Sequence, residues 1–193
     1  MPGFRRTALV VALANLTYFG VEFAVAIGIG SVALFADSID FLEDASVNLL
    51  IVVALGWSAR RRGAVGTVLA AALLTPAAAT LWTAWHKLAK PVAPAPAPLA
   101  LTALGALAVN FSCALLLARH RRQHGSLSRA AFLSARNDVL ANLAIIGAGA
   151  VTAFAIRNAW PDLVVGLAIA VLNADAAREV FMAARKERRA PAS

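Results

Sequence analysis

Asp37, Asp40 and Asp44 stand three and four residues apart, and Asn48 follows four further on. Wound into a helix at about 100° per residue, the four fall within an arc of about 80°, with Glu43 on its flank. Asp40 and Asp44 then lie one turn apart, and like charges at that spacing repel unless a cation or protons come between them. A second run has the same character: Ser134, Asn137, Asp138, Ala141 and Asn142 share a face, while Arg136 points roughly the other way. Ligands from two such helices at one depth would make a four-coordinate site for a divalent cation, or a looser oxygen shell completed by water.

The elements that must position these residues are apolar. Of 193 residues 61% are hydrophobic and 15% charged, with a mean hydropathy of +0.74; a soluble domain is about half apolar and a quarter charged. The expected fold is an all-α membrane protein of six transmembrane helices, at about 7–29, 32–57, 64–85, 99–118, 130–155 and 160–184. Spans of about 20 residues each leave no room for a sizeable soluble domain. The domain is therefore 1–184, and 185–193 reads as a charged tail without capacity to fold alone. The first span is too long, and too polar at Asn15 and Glu22, for a cleaved signal. Gly28 to Ser31 forms a tight turn, and Lys90 to Pro98, with four prolines, reads as a stiff extended connector. Ser128 is placed to cap the fifth helix and Pro161 suits the first turn of the sixth.

Charge sets the orientation. Alternate loops give one side fourteen Lys and Arg, at 5–6, 60–62, 119–129 and from 178 onward, and the other side Lys87, Lys90 and Arg157. Both termini are then cytoplasmic. The net charge of +8 belongs to this asymmetry, and no nucleic-acid partner is expected. The single cysteine, Cys113, forms no intrachain disulfide.

Charge at a bilayer centre costs about 2.5 to 3.5 kcal/mol per residue on insertion scales, so Glu22, Asp37, Asp40, Glu43, Asp44 and Asp138 each need a reason. Counted at 1.5 Å per residue from the cytoplasmic ends, Asp138 lies about 12 Å deep and Asp44 about 16 to 20 Å, so the two stripes can meet. Glu43 and Arg136 are the members best suited to a structural pair, and Glu22 with Asn15 to a helix contact or pathway lining. The remaining polar residues have simpler readings. His120 and His124 lie in a basic loop, Asn110 and Ser112 suit bonds to neighbouring helices, Asp162 caps a helix N-terminus, and Asp175 and Glu179 share a solvated face with Arg178. No Gly-rich phosphate loop, Ser-His-Asp set or His-Glu-x-x-His pattern is present, and no enzyme is expected.

The run from Gly30 to Asp44, GSVALFADSIDFLED, strongly resembles the second helix of the cation diffusion facilitator family. That resemblance implies a ligand ten residues after the Gly and an Asp four further on, here Asp40 and Asp44. The fifth span is similar to the family's fifth helix, whose His or Asp and following Asp fall here on Ser134 and Asp138. Asn15, Glu22 and Asp162 also match polar positions of the family's first and sixth helices. Ser134 in place of His or Asp removes the nitrogen ligand and makes the set harder, with Asn137 or Asn142 as substitutes. The run Ser134-Ala135-Arg136-Asn137-Asp138 resembles a small bacterial branch of cation transporters. The C-terminal cytoplasmic domain of many family members is not expected here, nor is regulation through it.

The resemblance implies proton-coupled efflux of a divalent cation, Zn²⁺ first among Co²⁺, Cd²⁺, Mn²⁺ and Fe²⁺, across a bacterial inner membrane, with the metal as substrate, no cofactor, and a homodimer. Asp40, Asp44, Asp138 and Ser134 are the implied metal residues, with Asp37, Asn137, Asn142, Asn48 and Glu22 in support. Crowded carboxylates suit the exchange, because either protons or a metal discharges them. Two other readings stay open: a membrane metal sensor or partner subunit that does not transport, and a metal-dependent lipid transferase holding a pyrophosphate through Asp37, Asp40 and Asp44.

Overall fold

The computed structural model describes residues 2–54, 64, 78, 80–89, 91–119 and 125–189, and every regular element among them is a helix. In chain order these are α1 (Pro2–Ile29), α2 (Val32–Ala54), α3 (described over 80–89), α4 (Pro96–Ala118), α5 (Gly125–Phe154) and α6 (Trp160–Arg189). Most of the expected third span, the Arg60–Arg62 boundary and the loop with His120 and His124 lie outside the described residues. Among the described residues two helices, Gly3–Ile29 and Pro96–Ala118, are long and apolar enough to cross a membrane. Asp138–Phe154 and Trp160–Leu172 are shorter apolar stretches.

Leu13, Val21, Ile27, Leu101, Phe111, Leu140 and Leu172 are exposed, while Asn15, Glu22, Asp37, Asn48 and Asn142 are buried. This inverts the soluble pattern, in which acids are almost never fully buried. Helix α2 is central, packing against α1, α5 and α6. Small residues such as Ala26, Ala33, Ala36, Ala103 and Ala106 line the interior and let backbones approach closely. The closest such approach described is at Gly166 of α6, where a Cβ would stand 2.7 Å from the backbone carbon of Val32.

Several boundaries differ from expectation for local reasons. The extended connector spans only 91–95; α4 begins at Pro96, because proline at the first helical position forfeits an N–H that would have had no partner. Helix α5 begins at Gly125, which places Ser128 inside its first turn, not at a cap. Helix α6 runs on to Arg189, past the expected end near Ala184. Arg185 to Arg189 are good helix formers, and extending an existing helix avoids the cost of nucleating one. Residues 190–193 lie outside the described residues.

Candidate metal centre

The site depends on how α2 starts. Helix α1 ends at Ile29, and Gly30 takes φ 63°, a left-handed conformation that glycine reaches without a Cβ clash. Ser31 N–H donates to the Ala26 carbonyl at 3.0 Å and Gly30 N–H to Ile27 at 3.3 Å, which closes the end of α1 in a Schellman turn. Ser31 then caps α2, its hydroxyl accepting from Leu34 N–H at 3.1 Å. Two further N–H groups of that end go to Asp162 at the start of α6, Val32 N–H at 2.9 Å and Ala33 N–H at 3.2 Å, and the Ser31 hydroxyl donates to the same carboxylate at 2.5 Å. Lys87 of α3 donates to the Gly30 carbonyl and pairs with Asp162 Oδ2 at 3.1 Å. Asp162 was expected to serve a helix N-terminus, and the one whose N–H groups it accepts is that of α2.

From that fixed start the acids of α2 fall on the side that meets α1 and α5. Asp44 accepts from Asn15 Nδ2 of α1 at 3.4 Å, and Cys113 Sγ of α4 approaches Asn15 Oδ1 at 3.7 Å. Asp138 of α5 lies close enough to Asp44 and Asp40 for their charges to act on one another, and Asp40 has Asp37 and Glu43 as further neighbours. Asp40 and Asp138 are half-buried, whereas Asp44 and Glu43 are buried. One turn nearer the α1–α2 link, Asp37 faces Glu22 of α1 and stands beside Asn142 of α5. All three are fully buried.

The two acidic stripes therefore meet. Asn142 Nδ2 donates to the Asp138 carbonyl at 2.8 Å, and Asn48 Nδ2 to the Asp44 carbonyl at 2.8 Å, so each amide spends a donor on its own helix. The side chains of Ser134, Asn137 and Arg136 lie outside the described residues, and with them the fourth expected ligand and the Glu43–Arg136 pair. Among the described residues, no three His, Cys, Asp or Glu side chains are gathered into a ready metal cage. Among the described residues, six buried side-chain oxygens make no well-formed hydrogen bond: both of Glu22, both of Asp37, and Oδ1 of Asn48 and Asn142. Buried oxygens of this kind carry a desolvation penalty that a cation or a proton would remove.

Reading from sequence missed two residues. Lys87 counts as a loop charge in the primary structure, yet it is buried against Asp162; the signal was a lone cation on an apolar helix. Cys113 was considered only for disulfides and sits within the Asn15–Asp44 contact chain, hidden in sequence by its apolar neighbours. Ser112 departs from expectation, since its hydroxyl bonds the Ala108 carbonyl of its own helix at 2.7 Å. Arg178 meets Asp175 at 3.9 Å on an exposed face, as expected.

Intramembrane acids mark ion pathways by default, and an apolar-surfaced helical bundle that gathers acids on the buried side of its central helix is of the carrier class. Residues 8–187 match the model of the cation efflux transmembrane domain, and the chain belongs to that family. It is a membrane protein of the divalent metal cation transporters, a family of transporters and not of enzymes. No curated protein sequence matches it.

Proposed function

We propose that the protein exports zinc or a similar transition metal from the cytoplasm in exchange for protons, through a site made by Asp40, Asp44 and Asp138 with Ser134 as the fourth ligand. The meeting of Asp44 and Asp40 on α2 with Asp138 on α5 is the observation that supports this reading. In the proposed arrangement six spans cross a bacterial inner membrane with both termini in the cytoplasm, following the side that carries most Lys and Arg.

Three carboxylates brought together in an apolar surround repel one another, and that repulsion is relieved by one divalent ion or by protons. Open to the cytoplasm, the site takes metal and releases protons. Open to the far side, protons displace the metal, and the bundle returns protonated. With oxygen donors alone the site is harder than one holding imidazole, so Co²⁺, Mn²⁺, Fe²⁺ and Cd²⁺ are tested beside Zn²⁺. Asn15, Asn48 and Asn142 hold or flank these acids through neutral groups, adding no countercharge that would compete with the cargo.

Proteoliposomes containing a pH-sensitive dye test the coupling. Zn²⁺ added outside should enter and drive proton movement in the opposite sense, and both signals should vanish in Asp138→Ala. Metal entry with no change in internal pH, under conditions where an ionophore does change it, would remove the antiport.

A further inference from the structure

A second group of oxygens sits one turn from Asp40 and Asp44, on the side of the α1–α2 link. It consists of the Glu22 and Asp37 carboxyls and the Asn142 amide oxygen, all at 0% exposure. Among the described residues, none of these five oxygens makes a well-formed hydrogen bond. Several proton donors near them are spent on other acceptors. Tyr18, beside both carboxyls, gives its hydroxyl proton to the Thr102 carbonyl at 2.7 Å. Ser38 gives its own to the Phe35 carbonyl at 2.7 Å, and Asn142 Nδ2, beside Asp37, spends one of its two N–H groups on the Asp138 carbonyl.

Two facing carboxylates shut from water and short of donors are among the costliest arrangements a fold can hold, unless something positive is drawn between them. We propose that Glu22, Asp37 and the Asn142 amide oxygen form a second cation-holding position, distinct from the Asp40–Asp44–Asp138 set and one helical turn nearer the α1–α2 link. This rests on the reading that the chain carries divalent metal.

The donor set defines the ligand class. Five oxygens from three helices, with no nitrogen or sulfur, suit a hard or borderline divalent cation that keeps some of its water. Such a set binds a transition metal less tightly than one containing imidazole or thiolate. A station of that kind accepts an ion from the deeper site and lets it go again, which a conducting path requires. Asp37 is also a charge neighbour of Asp40, so the two positions are close enough for an ion to pass between them and for occupancy of one to disfavour the other.

The test uses Mn²⁺ as the probe, because free Mn²⁺ is read directly by electron paramagnetic resonance, on the purified full chain in nanodiscs. Asp44→Asn removes an acid of the deeper set and should abolish transport while the protein still binds one Mn²⁺. Adding Glu22→Gln to that variant should weaken the remaining binding at least tenfold, and Glu22→Asp should restore part of it. Helicity and elution volume, measured on every variant, separate lost binding from lost folding. If Asp44→Asn binds no Mn²⁺ while wild type does, or if its binding survives Glu22→Gln together with Asp37→Asn, the second position does not exist; the first of these results fits a proton shared by the two carboxyls. Wild-type flux in Asp44→Asn would instead overturn the proposed transport site, whatever the Mn²⁺ result.

Discussion

Asp162 and Asp37 are both fully buried carboxylates, and they live in opposite circumstances. Asp162 accepts from two backbone N–H groups, a serine hydroxyl and an ammonium, and these join α6 and α3 to the start of α2. Among the described residues Asp37 makes no well-formed hydrogen bond through either oxygen, and the Glu22 carboxyl that it faces makes none either. The first is a closed polar network of the kind that rigidifies a fold. The second is unfavourable as it stands and becomes favourable only with a positive visitor. Burial alone therefore does not separate structural from functional acids in this bundle; the supply of donors does.

The sharpest way to break that contrast is to exchange the consequences of the two residues. Asp162→Ala strands Lys87 and the N–H groups of Val32 and Ala33, and should cost about 3 to 5 kcal/mol. The expected outcome is loss of the monodisperse peak in fluorescence-detected size-exclusion chromatography, or a large fall in its thermal midpoint. Asp37→Asn removes a charge that has no partner to lose, and should leave the midpoint unchanged or raise it. If the two variants melt alike, the distinction fails.

A smaller effect tests the α2–α6 contact that brings Asp162 into place. Gly166→Ala puts a methyl against the Val32 backbone, which has little freedom to move, and should cost about 1 to 3 kcal/mol, read as a lowered thermal midpoint. Smallest is Ser31→Ala. It removes the cap on Leu34 N–H and one donor to Asp162 while leaving the ion pair, and should cost about 0.5 to 2 kcal/mol in the same assay.

The carboxylate stripes were legible in the sequence because two physical rules act locally. Helical spacing put Asp37, Asp40, Asp44 and Asn48 on one face, and the cost of charge in lipid demanded a use for them. Resemblance at Gly30 to Asp44 added which of them to favour. The Asp162 network was not legible in the same way, since its bonds join residues 75 to 131 apart in sequence and a sufficient local explanation, capping of its own helix, was at hand. The role of Lys87 was hidden for a related reason: a charge rule that sums residues by loop cannot see one that folds inward. The start of α4 at Pro96 shows the same limit at short range, because proline stops a helix and also opens one. The separation of Glu22, Asp37 and Asn142 from the Asp40 set depends on which donors their neighbours have already spent, and only assembled coordinates carry that information.

The most direct test of the central claim, that the acids gathered between α2 and α5 carry cargo, is metal flux in Asp44→Asn. Purified wild type and variant, reconstituted at equal amounts of folded protein, would be compared for uptake of Zn²⁺, Co²⁺, Cd²⁺, Mn²⁺ and Fe²⁺ under an imposed pH gradient. The account predicts flux of at least one metal in wild type and a loss of about a hundredfold or more in the variant, which corresponds to about 2.7 kcal/mol, with no fall in thermal midpoint. Flux that persists in a folded Asp44→Asn protein would contradict it.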